Sequence, residues 1–257
     1  MVAFYVLPPT YFAEPSHHIH HFDLLGKDAP GYNKYVLAAI DQVQSHAPDG
    51  GGYFAGVTAV PAESPIGYPV CLFGSPLLVP PRPSSYCSGS SYTAMIEALD
   101  MIYPDGSQRL DPERLELLRM QEPDGSRRED GVKAWGWWNM DESGVEYSLV
   151  QYLQMGQIVS PRAARPGDFL NIDWRNGLGH SVVFLGWSKT GADGKPAVTY
   201  WSSNQKTNGL GDQTSPLSKI KSLIFVRMTH PEHVFDFNPP EIVDTGVKHA
   251  STPKNLR

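Results

Sequence analysis

Cysteine is almost missing from this chain: Cys71 and Cys87 are the only two in 257 residues. At most one disulfide can form, and neither a disulfide framework nor a four-cysteine metal site can be built. Charge is sparse as well, at 19% of residues, with a formal net charge of −6 and the lysines and arginines scattered. That excludes the basic stripe that neutralises a phosphate backbone, and nucleic acid is not expected as a partner. No run approaches the roughly 18 apolar residues a bilayer span needs, so no membrane span is expected. The opening MVAFYVLPPTYF lacks the basic start and long apolar core of a signal peptide, which leaves a cytosolic protein or a trimmed mature chain as the expectations. Internal repeats are absent.

Hydrophobic residues make up 40% of the chain, enough for a full core in one large domain with elaborations. Glycine (24) and proline (23) are abundant and gather in residues 48–83, where ordered turns and short strands are expected. Residues 1–30 show no clean period and read as an irregular arm. Tyr32, Tyr35, Val36, Ala39, Ile40 and Val43 recur at helical spacing, and Pro48, Asp49 and three glycines end that pattern. Short strands are expected at Tyr53–Val60 and Tyr68–Phe73, further helices at 111–120 and 145–155, and strands at 168–174, 180–187, 197–203 and 222–229. Helices followed by antiparallel strands give the class α+β.

Residues 87–103 (CSGSSYTAMIEALDMIY) form the most informative helix. Tyr92, Met95, Ile96, Leu99, Ile102 and Tyr103 make an apolar stripe, and Cys87, Ser91, Ala94 and Ala98 a strip of small side chains that permits close approach to a sheet. Cys87 stands at the start of that helix, after the turn PPRPSS. The unpaired N–H groups and positive dipole end there favour a thiolate and can also receive an oxyanion.

A second feature is RPGDFLNIDWRNGLGHSVVFLGW, residues 165–187, in which a histidine, His180, opens an otherwise apolar strand. A cysteine nucleophile needs such a base, and the base needs a third group to orient it. A hairpin centred on residue 192 sets His180 opposite Asn204; a one-residue bulge favours Ser203, and Gln205 is the next choice. The histidines at 17, 18, 20 and 21 have no helical period and no completing carboxylate or cysteine spacing, so no metal is expected.

Cys87-Ser88-Gly89 at a helix start, Pro166-Gly167-Asp168 opening one strand and Gly179-His180-Ser181 opening another occur in the order of the NlpC/P60 and CHAP peptidases, which this chain resembles. The resemblance covers residues 84–106 and 162–229. It implies a papain-like core, a catalytic helix packed on an antiparallel β-sheet, at residues 84–235. Residues 1–83 become an extension packed on that core, residues 104–160 a helical insertion, and residues 236–257 a tail. It further implies a cysteine hydrolase of amide bonds in bacterial cell-wall peptides, acting through Cys87, His180 and Asn204 with no cofactor, in a secreted or periplasmic setting. Tyr86 matches the family's substrate- or oxyanion-binding tyrosine. Ser88, Ser181 and Asp168 line the expected cleft, the last as a contact for a substrate amine. Trp135, Trp137 and Trp138 form a wall of the cleft or anchor the insertion to the core. The alternatives on the same fold are a non-catalytic cell-wall binding module and an amide acyltransferase.

Overall fold

The computed structural model describes residues 4–56, 66–80, 82–120, 133–135, 144–190 and 194–238. In chain order, α1 (His21–Leu25) and α2 (Asn33–Ser45) precede a hairpin of β1 (Val70–Leu72) and β2 (Ser75–Leu78). Then come α3 (Cys87–Ile102), α4 (Pro112–Leu117) and a π-helical segment at Glu146–Tyr152. Six strands follow: β3 (Gly156–Val159), β4 (Phe169–Trp174), β5 (Gly179–Thr190), β6 (Lys195–Asn204), β7 (Gly209–Pro216) and β8 (Ile220–Met228). They form one antiparallel sheet in the order β3-β8-β4-β5-β6-β7. The class is α+β. Among the described residues, no helix is long and apolar enough to cross a membrane.

Strand alternation divides the core into two layers. Phe169, Val183, Leu185, Trp201 and Val226 face the helices and share one apolar cluster with α2 and α3. Leu170, Ile172, Val182, Phe184, Val198, Tyr200 and Phe225 make a smaller cluster on the other face. From Ser88 to Leu99 every residue of α3 is buried, because α2 covers one flank and the sheet the other. Each of its large apolar side chains, such as Met95, Ile96 and Leu99, contributes about 1.5–3 kcal/mol by leaving water. The small residues at 88–91, 94 and 98 let the helix lie close to β5 and β6 at little entropic cost.

The loop before α3 is held by a backbone crossing that only glycine permits. Gly50 and Gly209 have φ of +94° and +111°, and a Cβ on either would lie 2.3 Å or less from a carbonyl oxygen of the other segment. Leu210 N–H donates to Gly50 O at 2.9 Å, Gly52 N–H to Asn208 O at 2.7 Å and Ser85 N–H to Gly52 O at 3.0 Å. The turn after β6 is thereby tied to the residue two positions before Cys87.

Most expected elements appear within a few residues of their boundaries. The helix expected at 145–155 is a π-helix, and the last residues of the expected helical insertion form the edge strand β3. β7 was not anticipated. Tyr53 makes only an isolated bridge to Ser85, and most of the strand expected from there lies outside the described residues. Residues 239–257 of the expected tail also lie outside them, while Phe237 is buried against Tyr152.

Candidate active site

Cys87 is the first residue of α3, preceded by Tyr86 in extended conformation with no side-chain cap. Both cysteines are free thiols; Cys87 is half-buried and Cys71 exposed. Burial pushes the Cys87 thiol above its usual range, and the N–H groups of Ser181, Ser88 and Cys87 itself act against that rise. The amide nitrogen of Ser181 is bonded directly to the carbonyl carbon of His180, so the sulfur stands against the start of β5.

His180 is half-buried and pairs with Ile172 on β4. Its ring meets Tyr200 edge-on at 5.6 Å and Trp174 at 6.3 Å. Burial depresses the imidazole to about 4, which leaves it neutral at neutral pH. Among the described residues the imidazole and the sulfur share no hydrogen bond. By strand alternation His180 shares the sheet face of Val182, Phe184 and Tyr200, opposite the face on which Ser181 meets α3, so what joins the two groups is backbone.

β5 and β6 pair from Val183–Trp201 and Phe184–Tyr200 onward, in the register of a hairpin centred on residue 192, with a shift between Phe184 and Gly186. His180 and Asn204 lie beyond that paired stretch. Asn204 instead pairs with Gly209 on β7. Its Oδ1 accepts the N–H groups of Lys206 (3.1 Å) and Thr207 (3.3 Å), capping a short 3-10 turn, and its buried Nδ2 has no partner among the described residues. Ser203 accepts a hydrogen bond from Ser85 at 2.8 Å, and Gln205 is exposed. None of the three hydrogen-bonds the imidazole. The side chain from β6 that does meet His180 is Tyr200, raised to about 12 by burial. The alternating pattern of VTYWSSNQ places Tyr200 on a strand face but gives no sign that it reaches the histidine.

Other expected site residues have structural partners. Tyr86 is buried, with its hydroxyl 3.9 Å from Met120 Sδ. Ser88 accepts the Trp135 indole N–H on its Oγ (3.1 Å) and carbonyl oxygen (3.2 Å), and Trp135 is 2% exposed. Trp135 is thus an anchor of its segment against α3; Trp137 and Trp138 lie outside the described residues. Asp168 is fully buried. Its carboxylate accepts from Arg227 Nε and Nη2 at 2.8 Å each, Asn33 Nδ2 at 2.7 Å and Arg165 N–H at 2.7 Å. No oxygen is left for a substrate amine. Ser181 donates to Ser91 Oγ at 3.0 Å.

A cavity of about 270 Å³ adjoins His180 and is lined also by Glu146, Asn171 and Asp173. Glu146 accepts from Asn171 Nδ2 at 2.5 Å, and burial raises its pKa. This is where a substrate could lie beside the imidazole.

One group of possible metal ligands is buried elsewhere: His18, His21 and Asp212 bring one ligand atom each within 4.8 Å of one another. Their hydrogen bonds already complete the group. His21 lies between Asp41 (Nδ1, 2.6 Å) and Asp212 (Nε2, 2.9 Å), and it is raised to about 9 by those two carboxylates against its burial. His18 Nδ1 accepts the His20 N–H at 3.1 Å, which puts the His18 proton on Nε2, pointing at Asp212 3.1 Å away. A metal ligand needs its lone pair there instead. The donor set suits a protonated network and not a metal.

Compared with models of protein families, with curated proteins and with solved structures, the chain matches none.

Proposed function

We propose that this protein is a cysteine-dependent amide hydrolase in which Cys87 is the nucleophile and His180 the general base. The observation that carries the reading is the Ser181 N–H directed at the Cys87 sulfur, because it brings the histidine strand to the N-terminus of the cysteine helix. Neither group is charged at rest: the thiol is raised and the imidazole depressed. In this reading the proton moves during attack, from sulfur to imidazole, after the His180 side chain turns from the Tyr200 face of β5 toward the sulfur, with no ion pair formed beforehand.

In the first half-reaction the sulfur forms a bond to the substrate carbonyl carbon and His180 takes the thiol proton. The carbonyl oxygen becomes an oxyanion, for which the positive N-terminal end of α3 is suited. The C–N bond then breaks, and the leaving amine takes the proton from the imidazolium. Water, deprotonated by His180, splits the thioester and returns the thiol. The substrate class follows from the motif resemblance: peptides of the bacterial cell wall, held in the cavity beside His180. A papain-like arrangement of α3 on β4–β8 belongs to the same proposal.

The test is mass spectrometry of purified muropeptides incubated with the wild-type protein and with Cys87→Ala. A cleavage product made only by the wild type is the expected result, and its mass names the bond. Equal product from both proteins would remove Cys87 from the chemistry.

A further inference from the structure

The first turn of α3 enters the sheet where β5 and β6 part, and serine hydroxyls take over the hydrogen bonds that the ladder no longer supplies. Ser203 N–H, which would otherwise point at β5, donates to Ser90 Oγ at 3.1 Å. Ser181 carbonyl, which would otherwise accept from β6 backbone, accepts from Ser202 Oγ at 2.9 Å. The oxygens of Ser90 and Ser202 meet at 3.2 Å. Ser90 and Ser91 both donate to the carbonyl of Cys87 itself, at 2.7 and 3.3 Å, and Ser181 donates to Ser91 at 3.0 Å. These contacts run from the Cys87 peptide through the residue that follows His180, with Ser90 and Ser202 as oxygen neighbours whose single protons go to the Cys87 and Ser181 carbonyls. Ser90, Ser91, Ser181 and Ser202 are all at most 1% exposed.

Serine is a costly choice at these places if filling space were the only task. Alanine is the better helix former, and hydroxyls that bond back to carbonyls three or four residues earlier weaken a helix. Buried hydroxyls repay that cost only when their partners need them. Here two of those partners are the nucleophile's own carbonyl and the strand end that carries the histidine.

We infer that this serine cluster, with Ser90 and Ser202 at its centre, is a positioning device that fixes the Cys87 sulfur against the His180 end of β5. Its purpose rests on the proposed cysteine chemistry, while its geometry does not. Without Ser202 the Ser181 carbonyl loses its side-chain donor, the peptide joining residues 181 and 182 is freed to turn, and the backbone rotation at Ser181 carries its N–H away from the sulfur. Without Ser90 the Cys87 peptide and the Ser203 N–H lose a shared partner, and the helix start slides along the strands. Either change raises the thiol's pKa, because an N–H donor to the thiolate has been withdrawn.

The experiment measures alkylation of Cys87 by iodoacetamide from pH 5 to 10, read on the Cys87 peptide by mass spectrometry, with Cys71→Ser as background. The titratable groups that feel the sulfur stay silent over most of that range: Tyr53 and Tyr200 are raised to about 12 by burial, and His180 on the adjoining strand is depressed to about 4. Ser202→Ala and Ser90→Ala are expected to move the alkylation midpoint up by about one pH unit, with about tenfold less thiolate at neutral pH. Ser202→Thr, which keeps the hydroxyl, is expected to hold the parent midpoint whatever it does to Tm. Unmoved midpoints in folded alanine variants would reduce the serines to packing and overturn the inference, as would a threonine variant displaced as far as alanine. Should Ser202→Ala not fold, Ser90→Ala and Ser202→Thr decide. His180→Ala in the same series separates the two claims: a slower Cys87 reaction in that variant bears on the base alone.

Discussion

At the residue scale, the proposed chemistry turns on two groups held in uncharged forms by burial. The Cys87 thiol is raised and His180 is depressed to about 4. The sign for the histidine is plain: below about 4 the imidazole is protonated and cannot accept the thiol proton, and above it the base form is available. The acid limb of kcat/KM is therefore expected near pH 4, well below the usual histidine value of about 6.5. A pH–rate profile on the cleaved muropeptide checks this; a limb near 6.5 would mean that the imidazole is solvated when it works. The places of Cys87 at a helix start and of His180 at a strand start were legible because each breaks its local pattern. The surroundings of Asn204 were not. Asn204 lies beyond the paired stretch of β5 and β6, and its oxygen is spent on capping the turn at 205–207, a local preference of asparagine that cross-strand reasoning does not weigh.

At the scale of elements, Asp168 shows how a motif residue can serve the sheet instead of the substrate. It ties the start of β4 to Arg227 on β8 and to Asn33 at the head of α2, and its carboxylate is out of reach of solvent. Asp168→Ala strands a guanidinium that is largely buried, and an unfolding free energy lower by about 3–5 kcal/mol is expected in urea titration. The kcat per folded molecule should stay within a few-fold of wild type; a selective rise in KM with unchanged stability would return Asp168 to the cleft. The helices α2 and α3 and four strands were legible from their periods. β7 was hidden because Gly209, Gly211 and Pro216 lower its strand propensity, and it is recruited by β6 and by the backbone crossing at Gly50. β3 is only four residues long and gains its place by pairing with β8.

At the scale of the whole molecule, the irregular arm is locked down by a buried charge network. His21 on α1 lies between Asp41 of α2 and Asp212 of β7, with Tyr11 and His18 also on Asp212. His21 is raised to about 9 in the folded protein and Asp212 lowered to about 2. A raised base contributes stability that is complete below its unfolded value of about 6.5 and lost as pH rises through about 9. A depressed acid contributes stability that is complete above its unfolded value of about 3.8 and lost as pH falls through about 2. The urea midpoint is therefore expected to be highest between about pH 4 and 6.5 and to fall by pH 9.5. His21→Gln should lower the maximum and remove the alkaline fall; an alkaline fall unchanged in that variant would place its origin elsewhere. The sequence shows the four histidines, but which of them meets a carboxylate depends on β7, nearly two hundred residues away. The motif resemblance spoke to the cysteine helix and the strands, and was silent on this lock.

The most direct test of the proposed chemistry is kcat/KM on one cleaved muropeptide for Cys87→Ala, His180→Ala and the double variant. Residues that act as one nucleophile–base unit lose their effect together. Each single variant is expected to fall by a factor of about 10³ or more, and the double variant no further than the worse single. A His180→Ala protein within tenfold of wild type, or a double variant whose loss is the product of the two, would contradict the account.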